Sequence, residues 1–258
     1  MNPQQIPAVL QNALVVLEAV GEAGPAGEDA AGIERRTGLH RRSIYRHLSS
    51  LKALGMVSDA ARRAHYRLGP AIAALAQNAS DQREFLRRAR LFCEELAERT
   101  HEPVHVTVPD QATAVTVASA TAESEISEKS PPIVLGARRP LHASASGKVF
   151  LAFNPSALQA YSVHAMESFT EHTLTTIDQL RDECLEVREQ GYALDRQELL
   201  LGVTCIAVPV HGVNGRAVGA LTVSTKNPVM TAERRRTLLR ALLPAAQEFT
   251  TAIGGNAP

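Results

Sequence analysis

Nine basic residues lie between positions 35 and 67 (Arg35, Arg36, Arg41, Arg42, Arg46, Lys52, Arg62, Arg63 and Arg67) against one acid, Asp59. The 258-residue chain balances 27 Lys and Arg with 27 Asp and Glu, so the remainder carries an equal excess of acid. Guanidinium groups pair bidentately with guanine edges and neutralise phosphates, which makes a compact basic segment a candidate contact for duplex DNA. The plainer reading is a solvated basic face, and the choice rests on what the segment folds into.

Three other groups have residue types that chemistry uses. His101-Glu-Pro-Val-His105 matches the zinc signature H-E-x-x-H. That motif needs both histidines on one helical face, and Pro103 would disrupt such a helix at a cost of about 3 kcal/mol or more. Ser144-Ala-Ser-Gly-Lys148 partly matches a phosphate loop, but His142 stands in place of its first glycine and Val149 in place of its metal-binding hydroxyl. Cys205, with His142 as base and Asp195 as orienting group, would form a thiol nucleophile if the three meet within hydrogen-bond reach. Such an enzyme is the alternative function, and it leaves the basic segment without a purpose. No catalytic residue, metal or cofactor is otherwise expected.

The arginines need elements to carry them. Leu10, Ala13, Leu14, Leu17 and Val20 recur at amphipathic-helix spacing, and the glycines and proline of 21–27 interrupt that helix. A short helix is expected from Glu28 to about Thr37, a turn at Gly38, and a third helix from about His40 to Leu54 closed by Gly55. In the third helix Ile44, Leu48 and Leu51 share one stripe. Arg42, Arg46, Ser49 and Ser50 fall opposite, with Arg41 and Tyr45 on the flanks. Residues 56–58 and 65–68 read as short strands around a basic loop at 60–64. This order describes a winged helix-turn-helix, in which the second helix of the pair enters the major groove. The expected DNA-contacting residues are Arg41, Arg42, Ser43, Tyr45, Arg46, Ser49, Arg62 and Arg63.

Beyond it, a helical connector is expected over 70–79, and a helix from about Asp81 to Arg99 opens with Asp81 and Glu84 at capping-box spacing. Val104, Val106 and Val108 alternate with His105 and Thr107, and a β-rich run follows at 113–118. Strands at 204–211 and 216–224 flank the hairpin signal Asn214-Gly215. Helices are expected from about Thr176 to Gln190 and from about Thr231 to Thr251. The fold class is therefore α/β in the broad sense (α+β). A winged helix-turn-helix occupies 1–69, a helical linker 70–80, and an antiparallel sheet flanked by helices 81–258. Hydrophobic residues at 45% and charged residues at 21% exclude a disordered chain. Three scattered cysteines exclude a disulfide framework and point to a reducing compartment. With no long apolar run and no secretory start at Met1–Pro7, the expectation is a cytoplasmic protein without a membrane partner.

The run Thr37-Gly-Leu-His-Arg-Arg-Ser-Ile-Tyr-Arg-His-Leu48, with Leu51-Lys-Ala-Leu-Gly-Met-Val57 and Tyr66-Arg-Leu-Gly-Pro70, resembles the DNA-binding domain of the IclR family of bacterial transcriptional regulators. It departs from the family pattern at His40 for proline, Arg42 for serine and His47 for leucine. Residues 140–152, 188–210 and 218–224 resemble that family's effector-binding domain, whose fold is GAF-like. The resemblance runs from about residue 6 to 250 in two independent blocks. It implies a ligand pocket formed by His142, Ala143, Ser144, Gly147, Asp195, Cys205, Thr222 and Ser224. The residues themselves fit in part. Ser144 and Ser146 precede the apolar run Val149–Phe153, so free helix N–H groups could hold a carboxylate, and Thr222 and Ser224, two apart on a strand, share a face. Each also has a plainer role: serine as helix cap, Cys205 as core residue, Asp195 as turn former. What the resemblance implies is a ligand-responsive repressor or activator. It would be a homodimer or homotetramer on pseudo-palindromic double-stranded DNA, with a small organic acid or related metabolite as effector.

Overall fold

The computed structural model describes residues 7–77, 80–122, 133–226 and 230–257. Two units separate by their internal contacts, Met1–Arg83 and Glu84–Pro258. Positions 78 and 79 of the expected linker and the Asp81 side chain of the expected capping box lie outside the described residues.

The first unit runs α1 (Ala8–Glu22), a 3-10 turn (Gly24–Ala26), β1 (Glu28–Asp29), α2 (Ala30–Thr37), α3 (Arg41–Ala53), β2 (Val57–Asp59), β3 (His65–Leu68) and α4 (Pro70–Gln77). Val16 and Val20 of α1, Ile33 of α2, Ile44, Leu48 and Leu51 of α3 and Val57 of β2 form its core. The expected stripe of α1 is only half right, because Leu10 and Leu14 stay exposed while Val16 and Ala19 are buried. The second helix also starts later than its spacing suggests. Glu28 and Asp29 pair with Tyr66 and His65 in a sheet of order β1-β3-β2. The Asp29 carboxylate then caps α2 by accepting the Gly32 N–H at 2.7 Å, a bond that holds its pKa below the ordinary value. Gly38 takes φ +68° after α2, a left-handed turn that a side chain would strain.

In the second unit α5 (Ser80–Thr100) leads to β4 (Val104–Asp110), β5 (Thr113–Ala120), β6 (Arg138–Pro140), α6 (Ala145–Phe153) and α7 (Pro155–Tyr161). Then come α8 (Ile177–Gln190), β7 (Ala193–Arg196), β8 (Thr204–His211), β9 (Ala217–Thr225) and α9 (Ala232–Ala252). The six strands form an antiparallel sheet of order β6-β5-β4-β9-β8-β7.

The two faces of this sheet differ. On one, Val104, Val106, Leu194, Ile206, Val208, Leu221 and Val223 pack with Leu96 of α5 and Leu238, Leu242 and Phe249 of α9. On the other, Ala114, Ala193, Ala207, Ala217 and Ala220 meet Val149 and Phe150 of α6 and Leu180 and Val187 of α8. Large branched chains fill the first face, and small ones line the second. A register shift beside Val106 and Thr107 lets β5 contribute to both, with Ala118 in the first cluster and Ala114 in the second. Helix α6 begins at Ala145, earlier than the apolar run alone indicates, so Ser146 and Gly147 lie within its first turn.

Candidate functional site

Helix α3 sorts its side chains by burial. Ile44, Leu48 and Leu51 are buried, whereas Arg41, Arg42, Tyr45, Arg46 and Ser49 are exposed and Ser43 is half-buried. His40 caps the helix in place of a proline, its Nδ1 accepting the Arg42 N–H at 3.3 Å. Arg41 pairs with Glu34 at 2.9 Å and Lys52 with Asp59 at 2.7 Å. Arg42 and Arg46, and the exposed Arg62 and Arg63 between β2 and β3, have no carboxylate partner among the described residues. A row of guanidinium groups without internal partners is free to meet phosphates and base edges. His47 is turned inward beside Leu48, and burial, with Arg46 next to it, lowers its pKa.

The second candidate site is the alanine-lined face of the large sheet. Strand register sets Asp195 opposite Cys205 and Cys205 opposite Ser224. It also sets Ala207 opposite Thr222, Thr222 opposite His105, Thr107 opposite Thr116, and Ala114 opposite Arg139. Polar side chains thus run along a face that two helices cover. Among the described residues five of their atoms are buried without a hydrogen-bond partner: His105 Nδ1, Thr107 Oγ1, Thr116 Oγ1, Thr222 Oγ1 and Arg139 Nε. Leaving one such group unsatisfied costs about 1–3 kcal/mol, so several together on one face make it a candidate site for a polar guest.

Charge shapes this face. Burial, assisted by Arg139, pushes the His105 imidazole down to about 3, so the ring is neutral. Burial, with Asp195 adding, raises the Cys205 thiol to about 12, and its partner is Ser224 Oγ at 3.3 Å. Burial and the nearby Glu198 charge raise Asp195 to about 7, although its carboxylate accepts the Glu198 N–H at 2.7 Å. Behind it Lys148 is fully buried, donating to Glu198 at 2.7 and 3.0 Å and to Glu183 at 2.9 Å.

The other expected pocket residues have internal work. His142 donates from Nε2 to the Glu167 carbonyl at 2.9 Å, because a carbonyl can only accept, and Nδ1 then accepts the Tyr161 hydroxyl at 2.8 Å. Ser144 caps α6, accepting the Gly147 N–H at 3.2 Å and donating to the Pro140 carbonyl at 2.7 Å. A Cβ on Gly147 would stand 2.3 Å from the Leu141 Cα and carbonyl oxygen, so this glycine lets the α6 start press onto the preceding loop. Ala143 is fully buried beside them. The three members of the thiol reading are therefore not linked: both His142 ring nitrogens are bonded elsewhere, and the Cys205 sulfur bonds Ser224.

Neither motif match holds its geometry. His101, at φ +54°, lies past the end of α5, while His105 is on β4, so the two do not share a helix. Lys148 is bound by two carboxylates instead of facing a phosphate. Four polar residues of the face, His105, Thr107, Thr116 and Arg139, are absent from the sequence-based site. The alternation of valine with His105 and Thr107 reads as a half-solvated strand, yet all of Val104–Thr107 is buried. No helix among the described residues is long and apolar enough to cross a membrane.

Comparison with known proteins gives a consistent picture. A family profile described as Bacterial transcriptional regulator IclR C-terminal matches residues 77–251. The DNA-binding transcriptional repressor YiaJ of Escherichia coli strain K12 is 29% identical over 234 residues, 89% of this chain and 82% of its own length. The crystal structure of Thermotoga maritima IclR superposes with a TM-score of 0.71 over 96% of this chain and 99% of that one, at 24% identity, and shares the fold. A double mutant of the inducer-binding domain of the PobR transcription factor from Acinetobacter, in complex with 3-hydroxybenzoic acid, has a TM-score of 0.57 and 26% identity, covering 63% of this chain and 95% of that domain. With a winged helix-turn-helix in one unit and the matched C-terminal domain in the other, this chain belongs to the IclR family of ligand-responsive bacterial transcriptional regulators.

Proposed function

We propose that the chain is a one-component switch in which α3 enters the major groove of operator DNA and a small organic acid, held on the alanine-lined sheet face, changes the affinity for that DNA. The observation that carries this reading is the exposed side of α3, where Arg42 and Arg46 stand one turn apart with Ser49 beyond, neither arginine paired to a carboxylate among the described residues. Seven helical positions span about 10 Å, within the reach of a groove about 12 Å wide. Arg42 and Arg46 set sequence preference. Arg62 and Arg63 contribute chiefly affinity, and Arg41, Ser43, Tyr45 and Ser49 fix the docking register. A homodimer or homotetramer in the cytoplasm reads a pseudo-palindrome, since a two-fold protein presents two such helices. It acts without catalysis or cofactor.

Support for the acid comes from the polar row on the sheet and from the 3-hydroxybenzoic acid held by the PobR domain. Asp195, Cys205, Thr222 and Ser224 contact the acid, while His142, Ala143, Ser144 and Gly147 form the wall beside it. Coupling of about 1–3 kcal/mol through the helical linker at 70–80 suffices to switch occupancy of the operator. The test is a gel-shift titration on DNA upstream of the chain's own gene across a salt series. If about eight phosphates are neutralised per dimer, log K falls with log salt at a slope of about −7. Arg46→Ala should lose about 1–3 kcal/mol of discrimination between the operator and a base-substituted copy. Salt-insensitive binding, or discrimination unchanged in the variant, refutes the reading.

A further inference from the structure

Adjacent arginines on β6 have opposite fates. Arg138 points away from the alanine-lined face and pairs with Asp110 at 2.6 Å and Thr113 at 3.0 Å. Arg139, one residue on, sits opposite Ala114 on that face, its Nε buried without a partner and its guanidinium with no ion pair among the described residues. Along the same face His105, Thr107, Thr116 and Thr222 are each more than nine-tenths buried, and each has a polar atom without a hydrogen-bond partner among the described residues. Arg139 as a whole is part-buried, and a cation with no counter-charge among the described residues, set on a face that also holds unbonded buried hydroxyls, favours an anion there. A carboxylate relieves both, because its two oxygens accept a guanidinium pair and further hydroxyl donors.

Resting on the reading of this face as the effector site, we propose that Arg139 is the anion receptor that determines effector class and that the class is a compact monocarboxylate. Its carboxylate docks on Arg139 and the hydroxyls of Thr107, Thr116 and Thr222, and the far end of the molecule meets Ser224, Cys205 and Asp195. One unpaired cation balances one negative charge. Lys148 cannot supply a second, being bound by Glu183 and Glu198, so phosphate esters and dicarboxylates are disfavoured. This locates the anion on strand β6, away from the α6 N-terminus, where Ser144 already takes the Gly147 N–H.

The experiment is a thermal-shift and calorimetric titration of the full chain with a panel of aliphatic, 2-oxo, hydroxy and aromatic monocarboxylates, 3-hydroxybenzoate included. Each acid is run beside its primary amide, with inorganic phosphate as the dianion control. At least one acid should raise the melting temperature while its amide and phosphate do not. Arg139→Gln should raise the Kd for that acid at least about tenfold, the loss expected for a charge-assisted pair, and Arg139→Lys should recover part of it. The unliganded Arg139→Gln protein should melt no lower than the wild type, because no ion pair among the described residues is lost. Stabilisation by amide as well as acid, an unchanged Kd in Arg139→Gln, or no stabilisation by any acid overturns the assignment. Operator gel shifts on the same variant separate this outcome from the regulator reading. Arg139→Gln should bind DNA like the wild type and lose only the response to the acid, whereas a wild type that binds no operator would sink the regulator reading and leave the acid-over-amide comparison standing.

Discussion

Replacing Lys148 by Met would expose how far the layer of α6 and α8 on the alanine-lined face depends on one ammonium group. Lys148 has no solvent exposure and bridges α6 to Glu183 of α8 and to Glu198 beyond β7, at 2.9 Å and 2.7 Å. Arg196 reaches Glu183 at 3.1 Å, so that carboxylate keeps a partner in the variant. Glu198, 2% exposed, keeps no cation among its ion pairs. Breaking a buried pair by removing one member costs about 3–5 kcal/mol, because the other charge stays enclosed. For a unit of this size each kcal/mol moves the melting temperature by about 2–4 °C, so the C-terminal transition should fall by roughly 6–20 °C. Differential scanning calorimetry of the full chain measures that. The double variant Lys148→Met/Glu198→Gln should regain at least about 2 kcal/mol, since a neutral pair leaves no stranded charge. A single variant that loses less than about 1 kcal/mol, or a double variant no more stable than the single, would refute the account.

Two further outcomes follow from the same layer. Gly147→Ala puts a Cβ 2.3 Å from the Leu141 backbone, which cannot step aside as a side chain can, so urea denaturation should show a loss of about 1–3 kcal/mol. A variant of wild-type stability would remove the close-approach argument. Asp195, raised to about 7 from 3.8, retains a proton in the folded chain that the unfolded chain releases. Its contribution is therefore complete below about 3.8 and is lost as pH rises through about 7, by about 4 kcal/mol at most. Asp195→Asn should flatten that decline, and identical stability-versus-pH curves for variant and wild type would contradict it.

Helix α3 was legible because its stripe and its basic face repeat at 3.6 residues, and both of its surroundings, a small core and solvent, lie close in sequence. The sheet face was not. An alternating strand reads as wet on its polar side, and nothing near His105 or Thr107 announces that α6, dozens of residues later, packs on that side. Strands β6 and β7 are too short for periodicity to register, which left Arg139 unassigned and Asp195 open to a turn role. Lys148 defeats the rule that lysine stays at the surface, its enclosure resting on two carboxylates 35 and 50 residues away. Gly147 is a poor helix former held inside α6 by contact with Leu141, a tertiary preference that local propensity does not contain.

The unequal faces of the six-stranded sheet also bear on how such a protein changes over generations. The branched residues against α5 and α9 carry the fold, and mutations there meet immediate selection for stability. Alanines at 114, 207 and 220 and threonines at 107, 116 and 222 present smaller side chains, so on the proposed effector reading an exchange there alters the wall that meets the ligand while the branched layer stays as it is. If that face holds the effector as proposed, a lineage can retune which metabolite it answers to by drift on one side of a single sheet, without passing through unfolded ancestors.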